Sequence, residues 1–364
     1  MIFYKLKKIN FLFLFVIILL SFIGFAVLYS AANGEINPWA KRHLIRFVIF
    51  FFLLITISLV DIKIWYKYTY YIFFLSLLLL IAVEYTGSFG LGAKRWIKIL
   101  GVSIQPSELI KVTMILALSK YYHDLKYSHI RKLHHLIVPL IIIFTPFLFI
   151  VSQPDLGTAI IILLLGFSIM FIVGVKIWKF VFGFVIVLVS LPFLWQNIKP
   201  YQQERVLSFL NPESDPLGLG YHLTQSKIAL GSGGTIGKGF LQGTQSYLEF
   251  LPEKQTDFIF TLIGEEFGFI GTFFILLLFM ILILICYFIS IKSQIYFGKI
   301  LSIGVAINLF LYIVLNTAMV TGLIPVVGVP LPLISYGGTA LLSLMISFGF
   351  LFNVNVHDHI TKIS

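Results

Sequence analysis

The chain reads as long apolar runs separated by short polar breaks. The runs lie at Phe11–Tyr29, Leu44–Val60, Thr69–Tyr85, Ser107–Tyr122, Leu136–Val151, Gly157–Gly174, Trp178–Trp195, Phe267–Ser290, Lys299–Val320 and Leu333–Phe352. Each comes near the roughly 20 helical residues that a bilayer needs. The pattern predicts an all-α polytopic integral membrane protein with about ten transmembrane helices. The fourth run is the most interrupted, because Glu108 and Lys111 fall inside it. The first follows a short basic stretch with Lys5, Lys7 and Lys8. Ser30 and Ala32 would suit a signal-peptide cleavage site, but the apolar run exceeds the ~7–15 residues of such a segment, so an anchor helix is expected.

Composition agrees with the pattern. Of 364 residues, 59% are hydrophobic and 11% charged, with a mean hydropathy of +1.01; soluble domains carry roughly a quarter charged residues. The net charge of +11 marks cytoplasmic loops rather than nucleic-acid binding. With ten helices both termini share one side. That side holds fourteen Lys and Arg, from Lys5 to Lys362. Short loops opposite hold six: Lys41, Arg42, Arg46, Lys94, Arg95 and Lys98. The N- and C-termini are therefore expected in the cytoplasm. Acidic residues lean the other way. Only Asp61, Asp124 and Asp358 of the fifteen fall on the cytoplasmic side, which points to chemistry outside. The one cysteine, Cys286, allows no intrachain disulfide.

The segment 196–266, between the seventh and eighth helices, is expected to form one large extracytoplasmic loop within a single transmembrane domain, 1–364. At this length a loop is usually functional or disordered, and its mixed aromatic, Pro and Gly content argues against disorder. Its end, Leu248–Gly271, sets Glu249, Glu253, Asp257, Glu265 and Glu266 against an apolar run. Carboxylates beside hydrocarbon imply a function or a partner. The glycine-rich GSGGTIGKGF at Gly231–Phe240 fails both the Walker and the GxGxxG patterns and reads as a close-packed turn. HExxH and CxxC are absent and most histidines are cytoplasmic, so a structural zinc site has no support.

Several residues could carry chemistry. Asp257, in TDFIF, is either a partly desolvated base or a cap for the helix that follows. Glu108 and Lys111, at i and i+3 in QPSELIKV, share a helix face; they form either a structural ion pair or an ion site. Arg95 and Trp96, with Lys94 and Lys98, make an interfacial anchor or capture a lipid phosphate. Arg205 is a second phosphate candidate. Asp155, in SQPDLGTA, is an N-cap or a third acidic group near Asp257. The Pro/Gly-rich Asn316–Leu342 is a turn of irregular backbone, which at membrane depth must be buried in protein or line a cavity.

These stretches together resemble the SEDS family, the shape, elongation, division and sporulation proteins, and its elongation branch more than its division branch. The matching pieces are Arg95–Trp96, QPSELIK at Gln105–Lys111, QPDLGTA at Gln153–Ala159, Glu204–Gly234, Phe250–Gly271 and Asn316–Thr339. The resemblance implies a peptidoglycan glycosyltransferase that polymerises lipid II at the outer face of the bacterial cytoplasmic membrane. It implies a class B penicillin-binding protein as partner and elongation machinery such as MreC and MreD. It places the family's essential aspartate on Asp257 and its glutamate and lysine on Glu108 and Lys111. It also implies a divalent cation (Mg or Mn), for which Glu108 and Asp155 are candidate ligands, and no organic cofactor. Arg95, Arg205, Lys111 and Asp155 are the candidates for the substrate and its pyrophosphate. Gln255 departs from relatives that carry His there. The competing functions are a lipid II flippase and a non-catalytic scaffold; polar residues crowded on the outer half favour the enzyme.

Overall fold

The computed structural model describes residues 10–90, 93–99, 102–130, 132–153, 155–197, 203, 207, 209, 219–248, 250 and 253–357. Each predicted run falls on a helix, since an unbroken apolar stretch satisfies its backbone internally where no water can. The helices are α1 (Phe11–Ala31), α2 (Trp39–Leu59), α3 (Ile62–Thr86), α4 (Pro106–Asp124), α5 (Ile137–Ser152), α6 (Leu156–Val173), α7 (Ile177–Asn197), α8 (Leu219–Ser232), α9 (Ile259–Lys292), α10 (Tyr296–Thr321) and α11 (Gly338–Val356). Among the described residues, eight helical segments are long and apolar enough to cross a membrane: α1, α2, α3, His134–Ser152, α6, α9, α10 and α11.

α4 is not among these eight. It carries Glu108, Lys111, Lys120 and Asp124, and its environment is protein rather than lipid. It packs against α3, α5, α6, α10 and α11, and 14 of its 19 residues are buried. Glu108 and Lys111, the charges that interrupt its apolar start, are thus enclosed by the bundle, while Asp124 at its other end is exposed.

Three features depart from the expected layout. A small antiparallel meander, β1 (Ser88–Gly90), β2 (Ala93–Ile99) and β3 (Val102–Ile104), joins α3 to α4. It pairs Ser88 with Trp96 and Ile97 with Ile104. Within the expected long loop, α8 docks on α9 and α10: the Ser226 hydroxyl donates to the Val320 carbonyl at 2.8 Å and lies 2.7 Å from Thr261 Oγ1. And α9 starts at Ile259, ahead of the expected Phe267, so that Glu265 and Glu266 are helical and buried.

The early start of α9 comes with a break at Gly268, whose φ of 64° and ψ of −160° are not helical. The loop 233–239 fills that break. Phe269 N–H donates to Gly234 O at 2.9 Å and Ile270 N–H to Thr235 O at 3.1 Å. Lys238 and Gly239 N–H donate to Glu265 O and Glu266 O, both at 3.0 Å. The glycine-rich stretch therefore replaces hydrogen bonds that α9 loses at its kink, as buried backbone requires. Only glycine takes that φ without strain.

Candidate functional site

The site is built at the end of the bundle where α4, α6 and α11 begin and α10 ends. Its spine is the Pro/Gly-rich connection between α10 and α11. Asp257 sits in the turn 253–258 that leads into α9, and this turn is fastened to the spine. Asn316, on α10, donates through Nδ2 to Asp257 O at 2.9 Å and to Val329 O at 2.7 Å. The Ser335 hydroxyl donates to Thr256 O at 2.6 Å and accepts from Leu331 N–H at 2.7 Å. Tyr336 N–H donates to Gln255 O at 2.8 Å. The side chain of Asp257 points to the same segment: a Cβ on Gly328 would lie 3.4 Å from Asp257 Oδ2. The N-cap of α9 is Phe258, which makes no side-chain cap bond.

Asn316 is fully buried, so its loss strands the buried Val329 carbonyl and frees that of half-buried Asp257. An unpaired buried acceptor costs about 1–3 kcal/mol. Asn316→Ala is expected to destabilise the protein by about 2 kcal/mol or more, read as a lower thermal unfolding midpoint in detergent. Hydrogen exchange should quicken in the turn 253–258. A variant that unfolds and exchanges like the wild type would show that the clamp carries nothing.

Glu108 and Lys111 form a buried ion pair, with Lys111 Nζ 2.6 Å from Glu108 Oε1. Lys111 also donates to the Tyr312 hydroxyl, which in turn donates to Glu108 Oε2. The Ser343 hydroxyl donates to the same oxygen at 3.2 Å. Lys111 is 1% exposed and Glu108 4%, so the charges survive burial by satisfying each other. Tyr312 and Asn316 lie one turn apart on α10, which ties this cluster to the Asp257 clamp. A cavity of about 10 Å³ separates the two, lined by Asn308, Tyr312, Leu331, Ser335 and Ser343 among others.

Asp155 N-caps α6. It accepts from Thr158 N–H at 3.4 Å and from the Thr158 hydroxyl at 3.0 Å, and Gln105 Nε2 donates to it at 2.9 Å. It lies within electrostatic reach of Tyr312. Arg95, on β2, donates through Nε to Gln153 O at 3.3 Å, so the meander aims a half-buried guanidinium at the start of α6. The backbone of α6 comes so close to the spine at Gly157 that any Cβ would collide with Val327 O. Arg205 lies outside the described residues.

The structure thus brings Asp257, Glu108, Lys111, Asp155 and Arg95 to one end of the bundle, around one connecting segment. It separates Glu265 and Glu266 from them, against the loop 233–247. Four participants were not singled out from sequence: Tyr312, Ser343, Asn316 and Arg46. Arg46 lies over the Tyr336 ring at 5.0 Å, and a Cβ on Gly338 would sit 2.9 Å from its Nη1. Asn316 opens a Pro/Gly-rich stretch whose backbone needed partners, a signal that was readable. Tyr312 and Ser343 sit inside apolar runs and gave none.

Fold and site together define a polytopic membrane protein with a buried acid–base cluster at one end of its helix bundle. A family model described as a cell cycle protein, that of FtsW, RodA and SpoVE, matches residues 8–360. The chain belongs to the FtsW/RodA/SpoVE family. It is 39% identical over 335 residues to the peptidoglycan glycosyltransferase MrdB of Escherichia coli K12, covering 91% of this chain and 89% of that one. It is 36% identical to the stage V sporulation protein E of Bacillus subtilis, covering 93% and 94%. Among solved structures it is similar to a chain of a peptidoglycan synthase complex that coordinates polymerization and crosslinking, with a TM-score of 0.83, 26% identity, and 96% and 98% of the chains covered. The rod shape determining protein RodA of Thermus thermophilus shares the fold, at a TM-score of 0.71 and 23% identity, with 95% and 96% covered.

Proposed function

We propose that this protein is a peptidoglycan glycosyltransferase that joins lipid II units into glycan strands, with Asp257 as general base. The observation that carries the reading is the fastening of the Asp257 turn by Asn316, Ser335 and Tyr336. A base is efficient only when its position is fixed before the substrate arrives. The names of the relatives give the reaction class. In this mechanism the 4-hydroxyl of an incoming lipid II loses its proton to Asp257 and attacks the anomeric carbon of the growing strand. That carbon releases lipid pyrophosphate, and its configuration inverts. Arg95 and Arg205 stabilise the departing pyrophosphate. Lys111 is too enclosed to be a direct contact in this conformation. Its ammonium sets Glu108 and Tyr312 and acts as a positioning group.

The residues placed here do not fit a divalent cation. Glu108 gives its oxygens to Lys111, Tyr312 and Ser343, and Asp155 gives its oxygens to Thr158 and Gln105. Among the described residues no three His, Cys, Asp or Glu come together as a metal group. No step of the mechanism is routed through one.

The working surroundings belong to the same proposal. The excess of Lys and Arg on the N-terminal side supports cytoplasmic termini, hence a site on the outer face of the bacterial cytoplasmic membrane. A class B penicillin-binding protein would supply crosslinking, and MreC and MreD would belong to the same elongation machinery. The test is polymerisation of purified lipid II by the protein and that partner, with the transpeptidase blocked. Long glycan supports the reading. Failure to polymerise, with labelled lipid II crossing vesicles that carry the protein, would replace it with the flippase.

A further inference from the structure

We propose that an alkali metal cation, sodium or potassium, is bound between α1, α9 and the loop 241–247, with Glu266 as its charged ligand. A cavity of about 90 Å³ lies there, lined by Ser30, Asn33, Leu241, Gly243, Tyr247 and Glu266. One water needs roughly 10–15 Å³ of such space, so an ion and a few waters fit. Glu266 is 2% exposed. Its Oε1 accepts from the Ser30 hydroxyl, and the Leu241 main-chain amide faces the carboxylate. Its Oε2 is buried and has no hydrogen-bond partner among the described residues, and Glu266 lines the cavity.

The charge balance selects the ligand. Neighbouring Glu265 is already neutralised: its Oε1 accepts from Lys238 Nζ at 2.8 Å, the Thr244 hydroxyl at 3.2 Å and Gln245 N–H at 2.9 Å. The nearby ammonium is therefore committed, and Glu266, when ionised, is a buried carboxylate with no cation beside it among the described residues. A buried carboxylate without a counter-charge is unfavourable, and a single positive charge completes the site. One carboxylate with the neutral oxygens of Ser30 and Asn33 suits an alkali ion. Calcium-type sites gather several carboxylates. The site lies apart from Asp257 and its function does not depend on the catalytic reading. It joins the end of α1 to the kinked start of α9.

The experiment measures thermal unfolding of the full chain in detergent, in sodium, potassium or choline chloride at one ionic strength. The midpoint is expected to rise saturably, by about 3 °C, as sodium or potassium replaces choline. Glu266→Gln should lose that increment. Asn33→Gly removes the amide while keeping the left-handed backbone found there (φ 56°). It should fold normally and require about tenfold more ion for the same rise, a change of about 1.4 kcal/mol. A wild type that responds equally to all three salts overturns the proposal. So does an increment that both variants retain.

Discussion

Asp257→Asn is expected to lower polymerisation of lipid II by about 10²–10⁴-fold, the range that a positioned general base contributes. The substitution is nearly isosteric. It leaves the main-chain carbonyl that Asn316 holds at 2.9 Å, and the fastening of Thr256 by Ser335 and of Gln255 by Tyr336 is untouched. Folding should therefore survive, and thermal unfolding of the variant should match the wild type. What changes is the ability to take a proton from an attacking hydroxyl. Glycan made from purified lipid II, with the partner transpeptidase blocked, is the measurement. Wild-type yield from a well-folded Asp257→Asn would make the carboxylate structural and send the search for a base elsewhere.

The second large effect concerns the ion pair. Lys111→Met should destabilise the protein by about 3–5 kcal/mol, because removing one partner leaves the other charge buried and uncompensated. Glu108, 4% exposed, would keep only Tyr312 and Ser343 as donors. The double variant Glu108→Gln, Lys111→Met removes both charges and should regain most of that stability. The two readouts then separate. Unfolding midpoints should recover in the double variant, while polymerisation should stay at least tenfold below wild type, about 1.4 kcal/mol in barrier. That split is expected because the charged pair orders Tyr312 along the wall it shares with the Asp257 clamp. Recovery of both would reduce the pair to packing.

Much of this architecture was legible in the sequence for a simple physical reason. A helix in lipid must be apolar along its whole length, so its signal is long and local. The Glu108–Lys111 pair was legible for a related reason, since i and i+3 meet on one helix face. The capping role of Asp155 was one of two open readings, and the structure shows that cap. What escaped was everything whose cause lies far away in the chain. Tyr312 meets Glu108 across 204 residues and Ser343 meets it across 235, and no spacing announces such a contact. The meander at Ser88–Ile104 was missed because β1 and β3 have only three residues each, and the seven of β2, AKRWIKI, do not alternate cleanly between apolar and polar. The start of α9 was missed because Glu265 and Glu266 resemble a solvent-exposed boundary; their partners, Lys238 and Ser30, come from elements distant in sequence.

The enclosure of α4 bears on biogenesis. A nascent helix with a glutamate and a lysine in its first two turns is poorly held by lipid alone, since each charge costs several kcal/mol at the bilayer centre. Placing the two at i and i+3 gives each a counter-ion within the same segment before any later helix exists. The segment can then wait, neutral overall at that point, while translation continues. Its remaining donors arrive on α10 and α11, some two hundred residues later. The polar end of the bundle is thus completed only once α10 and α11 have left the ribosome, and a chain cut before them would hold its polar cluster unassembled.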